Sequence, residues 1–71
     1  MNAKQAKIEA LRNIWGWATY LCEGEEEGEL SDNMKMGVDM GRYTEKEAHK
    51  IQQQLFKESE NIIRRIRRLN K

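Results

Sequence analysis

Apolar residues recur with the period of a helix in two long segments of this chain, and with a different period between them. From Ala3 to Cys22, the residues Ile8, Leu11, Trp15, Ala18 and Cys22 follow at steps of 3, 4, 3 and 4. That spacing sets them on one face of an α-helix. Ala10, Ile14, Trp17 and Leu21 form a shoulder beside that face. The apolar arc covers about half the circumference, wider than one neighbouring helix can cover. In the last segment, Ala48, Ile51, Leu55, Ile62, Ile66 and Leu69 make a narrower stripe, interrupted at Ser59 and flanked by Phe56 and Ile63. Thr44 and Glu47 have the spacing of a capping box, and Tyr43 and Ala48 that of a hydrophobic staple, so this helix begins at Thr44. The chain has no proline and is rich in Lys, Glu, Gln and Arg, which favours helix throughout.

Between the helices the pattern changes twice. Gly24 supplies a left-handed cap that ends the first helix. The run Glu23 to Glu29 then reads as a solvated acidic loop over residues 23–30. It follows a helix C-terminus, where the macrodipole disfavours anions. Over residues 31–42, Met34, Met36, Val38 and Met40 alternate with Lys35, Gly37, Asp39 and Gly41, the signature of a strand. A lone strand finds no pairing partner in this chain. A short helix capped by Ser31 or Asp32 is therefore the preferred reading, although Gly37 and Gly41 weaken it. The expected fold is all-α: an antiparallel helical hairpin of two long helices, about 3–22 and 44–69, with a short middle helix or irregular segment, in one domain over residues 1–71.

Size and charge extend this picture. A chain of 71 residues buries a smaller share of its surface than larger domains do. Domains of this size commonly add a staple, a metal or a second copy. Cys22 is the one cysteine, so no disulfide forms within the chain. The hairpin is therefore expected to complete its core by self-association, as a dimer. A lone thiol and a start unlike a signal peptide suggest the cytoplasm. No stretch approaches the roughly 20 apolar residues of a membrane span, so no membrane partner is expected.

The net charge of +1 is the sum of +2 over residues 1–22, −6 over 23–47 and +5 over 48–71. Segregation of this kind suggests an interaction surface, and a head-to-tail or antiparallel dimer would bring opposite charges together.

The basic stretch Arg64, Arg65, Arg67, Arg68 and Lys71 offers guanidinium forks suited to phosphate oxygens or to an acidic partner. Cations also belong at a helix C-terminus, where they complement the dipole. Glu25, Glu26 and Glu27 are candidate contacts for a basic partner, but they lack the ligand pattern of a calcium loop. Trp17 and Tyr20 lie off the core stripe, and aromatics so placed favour protein interfaces. Met34, Met36 and Met40 are adaptable side chains suited either to contact or to gap-filling. With Phe56 and Ile63 they complete a candidate partner-binding set.

His49 and Cys22 share no ligand spacing, so no metal is expected. No nucleophile–base pair or glycine-rich phosphate loop appears, so neither an enzyme nor a cofactor is expected. The expected function is that of a protein-binding regulator or inhibitor. The alternatives are a nucleic-acid binder using the basic helix end and a structural self-assembling subunit. Small charged helical regulators of this style include accessory proteins of bacterial viruses and mobile elements, an analogy of size alone.

Overall fold

A computed structural model describes residues 1–71. It is all-helical: α1 spans Ala3–Leu21, a short 3-10 turn spans Glu25–Glu27, α2 spans Asp32–Asp39 and α3 spans Glu45–Leu69. The molecule is elongated, measuring 43 × 21 × 14 Å.

Each helix starts on a polar cap. Asn2 and Gln5 form a reciprocal pair at the head of α1: the Asn2 side chain accepts from the Gln5 N–H at 2.8 Å, and the Gln5 side chain accepts from the Asn2 N–H at 3.1 Å. At α3, Thr44 and Glu47 do the same at 3.1 and 2.9 Å. These exchanges satisfy amide donors that a helix start leaves without partners.

Ser31 heads α2. Its hydroxyl accepts the Met34 N–H at 3.2 Å and donates to the Leu21 carbonyl at 2.7 Å. One side chain therefore caps the second helix and ties it to the end of the first.

The alternating methionines are wound into helix. Met34 and Gly37 turn inward while Met36 and Met40 face solvent. The helix closes in a Schellman motif: Arg42 N–H bonds the Gly37 carbonyl at 2.9 Å and Gly41 N–H bonds the Val38 carbonyl at 3.0 Å. Gly41 takes φ 75° there.

Gly37 admits the Tyr43 ring so closely that a Cβ at position 37 would overlap it. The Tyr43 hydroxyl lies 3.7 Å from the Met34 sulfur. Tyr43, read from sequence as half of a hydrophobic staple, thus packs on α2.

α1 lies along α3, with the start of α1 beside the end of α3. Ile8 and Leu11 pack with Ile62 and Ile66, and Ile63 and Leu69 close over them. Ala18, Cys22 and Ser59 are buried farther along. Ser59 belongs to the packed strip and does not break it. Its hydroxyl donates to the Phe56 carbonyl at 2.7 Å, so its small side chain is buried with its polarity satisfied.

Trp15 and Ile51 depart from the expected core stripe, keeping 36% and 38% of their surface in solvent. Two long helices and one short one leave part of each side chain without a covering element.

The acidic segment is a folded turn flanked by left-handed Gly24 and Gly28 (φ 96° and 73°). Gln52, fully buried, holds it down. The Gln52 side-chain amide donates to Glu29 O at 2.6 Å and to Glu25 Oε1 at 3.0 Å, and its carbonyl oxygen accepts the Ser31 N–H at 2.8 Å.

Candidate interaction surface

Apart from Met1 and Ile51, the large apolar side chains left in water lie on α1, on α2 and at the C-cap of α2. Trp17 is 67% exposed and Tyr20 53%, on the flank of α1 away from α3. Three residues apart, they stack edge to face, with ring centroids 6.2 Å apart and planes at 89°. That geometry suits the ring quadrupoles and holds both rings in a defined pose.

Gly16, lacking a side chain, leaves a shallow hollow beneath the rings, lined also by Arg12, Asn13 and Asn33 of α2. Asn33 shares its edge of α2 with Met36 and Met40, three and seven residues on. Those methionines are 58% and 62% exposed. Asn33 thus belongs both to that hollow and to the exposed edge of α2.

The other residues singled out in the sequence are placed differently. Met34 is buried under Tyr43 and is not part of any surface. One face of an eight-residue helix must pack, and Met34, placed in the contact set from sequence, lies on it. Ile63 is half-buried against the core cluster. Phe56, also half-buried, lines a cleft with Thr19, Glu23 and the Glu25–Glu27 turn. Glu25 is engaged by Gln52, whereas Glu26 and Glu27 remain exposed.

Arg64, Arg65, Arg67, Arg68 and Lys71 are all exposed. The packing brings Lys7 of α1 to Arg65 and Arg68, where the three share a shallow hollow with Leu69. None of these cations has a carboxylate within ion-pair distance, since the one ion pair in the molecule is Arg12–Glu9 at 3.4 Å. The molecule is therefore bipolar along its length. Lys4, Lys7 and the α3 terminus form a basic pole. The Glu25–Glu27 turn, α2 and the start of α3 form an acidic one.

Half-buried His49 faces a cleft with Glu29, Lys35, Val38, Asp39 and Glu45. No group of three or more His, Cys, Asp or Glu side chains is placed to hold a metal ion. Cys22 is buried, and desolvation is the main cause that raises its pKa; Glu25 nearby adds to this. Burial and a raised pKa both keep the thiol protonated and unreactive. No helix is long and apolar enough to cross a membrane.

Sequence reasoning missed Gln52, Gly37, Asn33 and Lys7. Gln52 did leave a signal: it stands four residues after Ala48, in register with the buried strip of α3. The roles of Gly37 and Lys7 depend on contacts between elements, which no local pattern carries. The chain matches no protein-family model, no curated protein and no solved structure.

Proposed function

We propose that this protein is a non-enzymatic regulator or inhibitor that acts by direct contact with another protein, through the surface built from Trp17, Tyr20, Met36 and Met40. The observation that carries this reading is an inversion of the usual partition. Trp17 and Tyr20 stand in water while Gln52 is fully covered and Ser59 is buried. In so small a chain, an exposed aromatic pair beside two exposed methionines marks a contact surface more strongly than scattered apolar residues would. Aromatic anchors supply affinity and methionines adapt to the partner's shape. The bipolar charge orients the encounter and adds less to affinity itself.

In this reading the two long helices act as an antiparallel hairpin that completes its core with a second copy, and the protein works in the cytoplasm. The test is affinity capture from the source cells with the wild type, with Trp17→Ala/Tyr20→Ala, and with an alanine variant of Arg64, Arg65, Arg67 and Arg68. The reading expects one discrete protein retained by the wild type and the arginine variant and lost by the aromatic variant. Retention by the aromatic variant would refute it.

A second reading, nucleic-acid binding at the basic pole, is favoured by the unpaired cations that two helices bring together there. It expects micromolar binding of labelled mixed-sequence DNA or RNA, measured by fluorescence anisotropy. That binding would weaken steeply with salt and vanish in the arginine variant. No binding even at low salt removes this reading.

A further inference from the structure

The two faces that flank the α1–α3 seam are not equivalent. On one, Thr19 and Phe56 lie under the Glu23–Glu27 segment. The other begins at the basic pole, where Lys7 meets Arg65 and Leu69. Steps of seven residues keep nearly the same side of a helix. From Lys7 they lead to Ile14 and Leu21; from Arg65 to Glu58 and Ile51; from Leu69 to Ile62 and Leu55. Six of these nine positions are apolar; Ile62 is buried in the core and Leu21 and Leu55 are half-buried, so Ile14 and Ile51 carry the open apolar surface of this edge. Ile14 remains 54% exposed and Ile51 38%. It accounts for the surplus apolar arc of α1.

We infer that a second copy of this chain occupies that edge, antiparallel to the first, about a two-fold axis perpendicular to the helices at the level of Phe56. This rests on the self-association put forward above and adds the face and the orientation. Charge at the two poles decides the orientation, and outweighs the one like-charge pair that the reversed arrangement creates, Glu58 against its own copy at the two-fold axis. Two copies side by side with their helices running the same way would set basic pole against basic pole, and like charges so placed disfavour the pair. Reversing one copy sets Lys7 and Arg65 beside the other's acidic end, with Arg65 at the level of Glu47. The same operation sets the exposed Ile51 of each α3 at the level of the other's Ile62 and places both Ile14 side chains on the shared edge. The contact is isologous and closes on itself, so it ends at two copies. Tyr20, Met36 and Met40 lie off this edge, and Trp17 lies at its border, so the dimer leaves the proposed partner surface open.

The test combines mass and cross-linking on the full chain. Sedimentation equilibrium of the wild type is expected to give twice the monomer mass of 8.4 kDa. Ile14→Glu/Ile51→Glu is expected to sediment as a monomer with unchanged helical circular dichroism, since both side chains already meet solvent. In a Cys22→Ser background, Glu58→Cys is expected to form a disulfide-linked dimer readily, because the two copies of that residue lie only about 6 Å apart along the axis. Arg65→Cys is expected not to, because its two copies are about 27 Å apart along the axis. A wild type that stays at monomer mass through the micromolar range overturns self-association itself. A dimer that survives both glutamates, or that cross-links through Arg65→Cys, overturns this edge or this orientation alone. Neither result bears on the capture experiment with the aromatic variant.

Discussion

Gln52 accepts the backbone N–H of Ser31 at 2.8 Å across 21 residues of sequence. The same side chain donates to the Glu29 carbonyl at 2.6 Å, so one buried amide fixes both the end of the acidic turn and the start of α2. Replacing it with Leu keeps much of the volume and leaves the Ser31 N–H and the Glu29 carbonyl without partners. Each unsatisfied buried group costs about 1–3 kcal/mol. Gln52→Leu is therefore expected to lower the denaturation midpoint and to speed amide exchange at Ser31 and Met34 more than in the Ile8–Ile66 region. Equal exchange rates in both regions would contradict this role.

Gly37 and Tyr43 make a second dependence of opposite sign to propensity. Alanine in place of a helix-interior glycine ordinarily stabilises by about 0.5–1 kcal/mol. Here the added methyl meets the Tyr43 ring, and overpacking of this kind costs about 1–3 kcal/mol. Gly37→Ala is expected to destabilise, and much less so in a Tyr43→Ala background. The double-mutant cycle from chemical denaturation measures that coupling.

These two relationships mark the limit of what the sequence discloses. The long helices were legible because Ile8, Leu11, Ile62 and Ile66 keep helical spacing and because Thr44 and Glu47 announce a start. The short helix was legible through Ser31, despite the alternation of Met34 to Met40. The division of the methionines was not, because which of them packs depends on where Tyr43 and α3 lie. The aromatic pair was legible from its offset to the core stripe. Its place beside Asn33 depends on how α2 docks, and the join of Lys7 with Arg65 depends on α1 lying beside the end of α3.

The cap of α3 gives a pH dependence. Backbone and side-chain hydrogen bonds from Thr44 hold the Glu47 carboxyl below the ordinary glutamate range. A carboxyl whose folded pKa is depressed adds stability above its unfolded pKa and loses it as pH falls through the folded value. Acid should therefore loosen the first turn of α3. Amide exchange at Glu47 and Ala48, corrected for intrinsic rates, should rise on that descent in the wild type and be less pH-dependent in Glu47→Gln.

Cys22 is expected to behave as a packed apolar group. Its raised pKa and burial predict slow reaction with a disulfide reagent in the native protein and fast reaction in denaturant. Because the folded pKa lies above the unfolded one, its contribution to stability is present below the unfolded value and lost as pH rises toward the folded one. Thiol release monitored against denaturant concentration reads this directly; prompt native reaction would contradict it.

The surface residues should separate function from folding. Trp17→Ala and Met40→Ala remove side chains that are mostly in solvent, so each is expected to change stability by no more than about 0.5 kcal/mol. A larger loss in thermal melts would assign these side chains to the fold and not to a contact.

The most direct measurement of the central claim is photo-cross-linking in the source cells, with a benzophenone amino acid placed at Trp17 in one protein and at Arg68 in another. The account predicts a discrete protein adduct from position 17 and none of comparable yield from position 68. A nucleic-acid adduct from position 68, with none to protein from position 17, would contradict it.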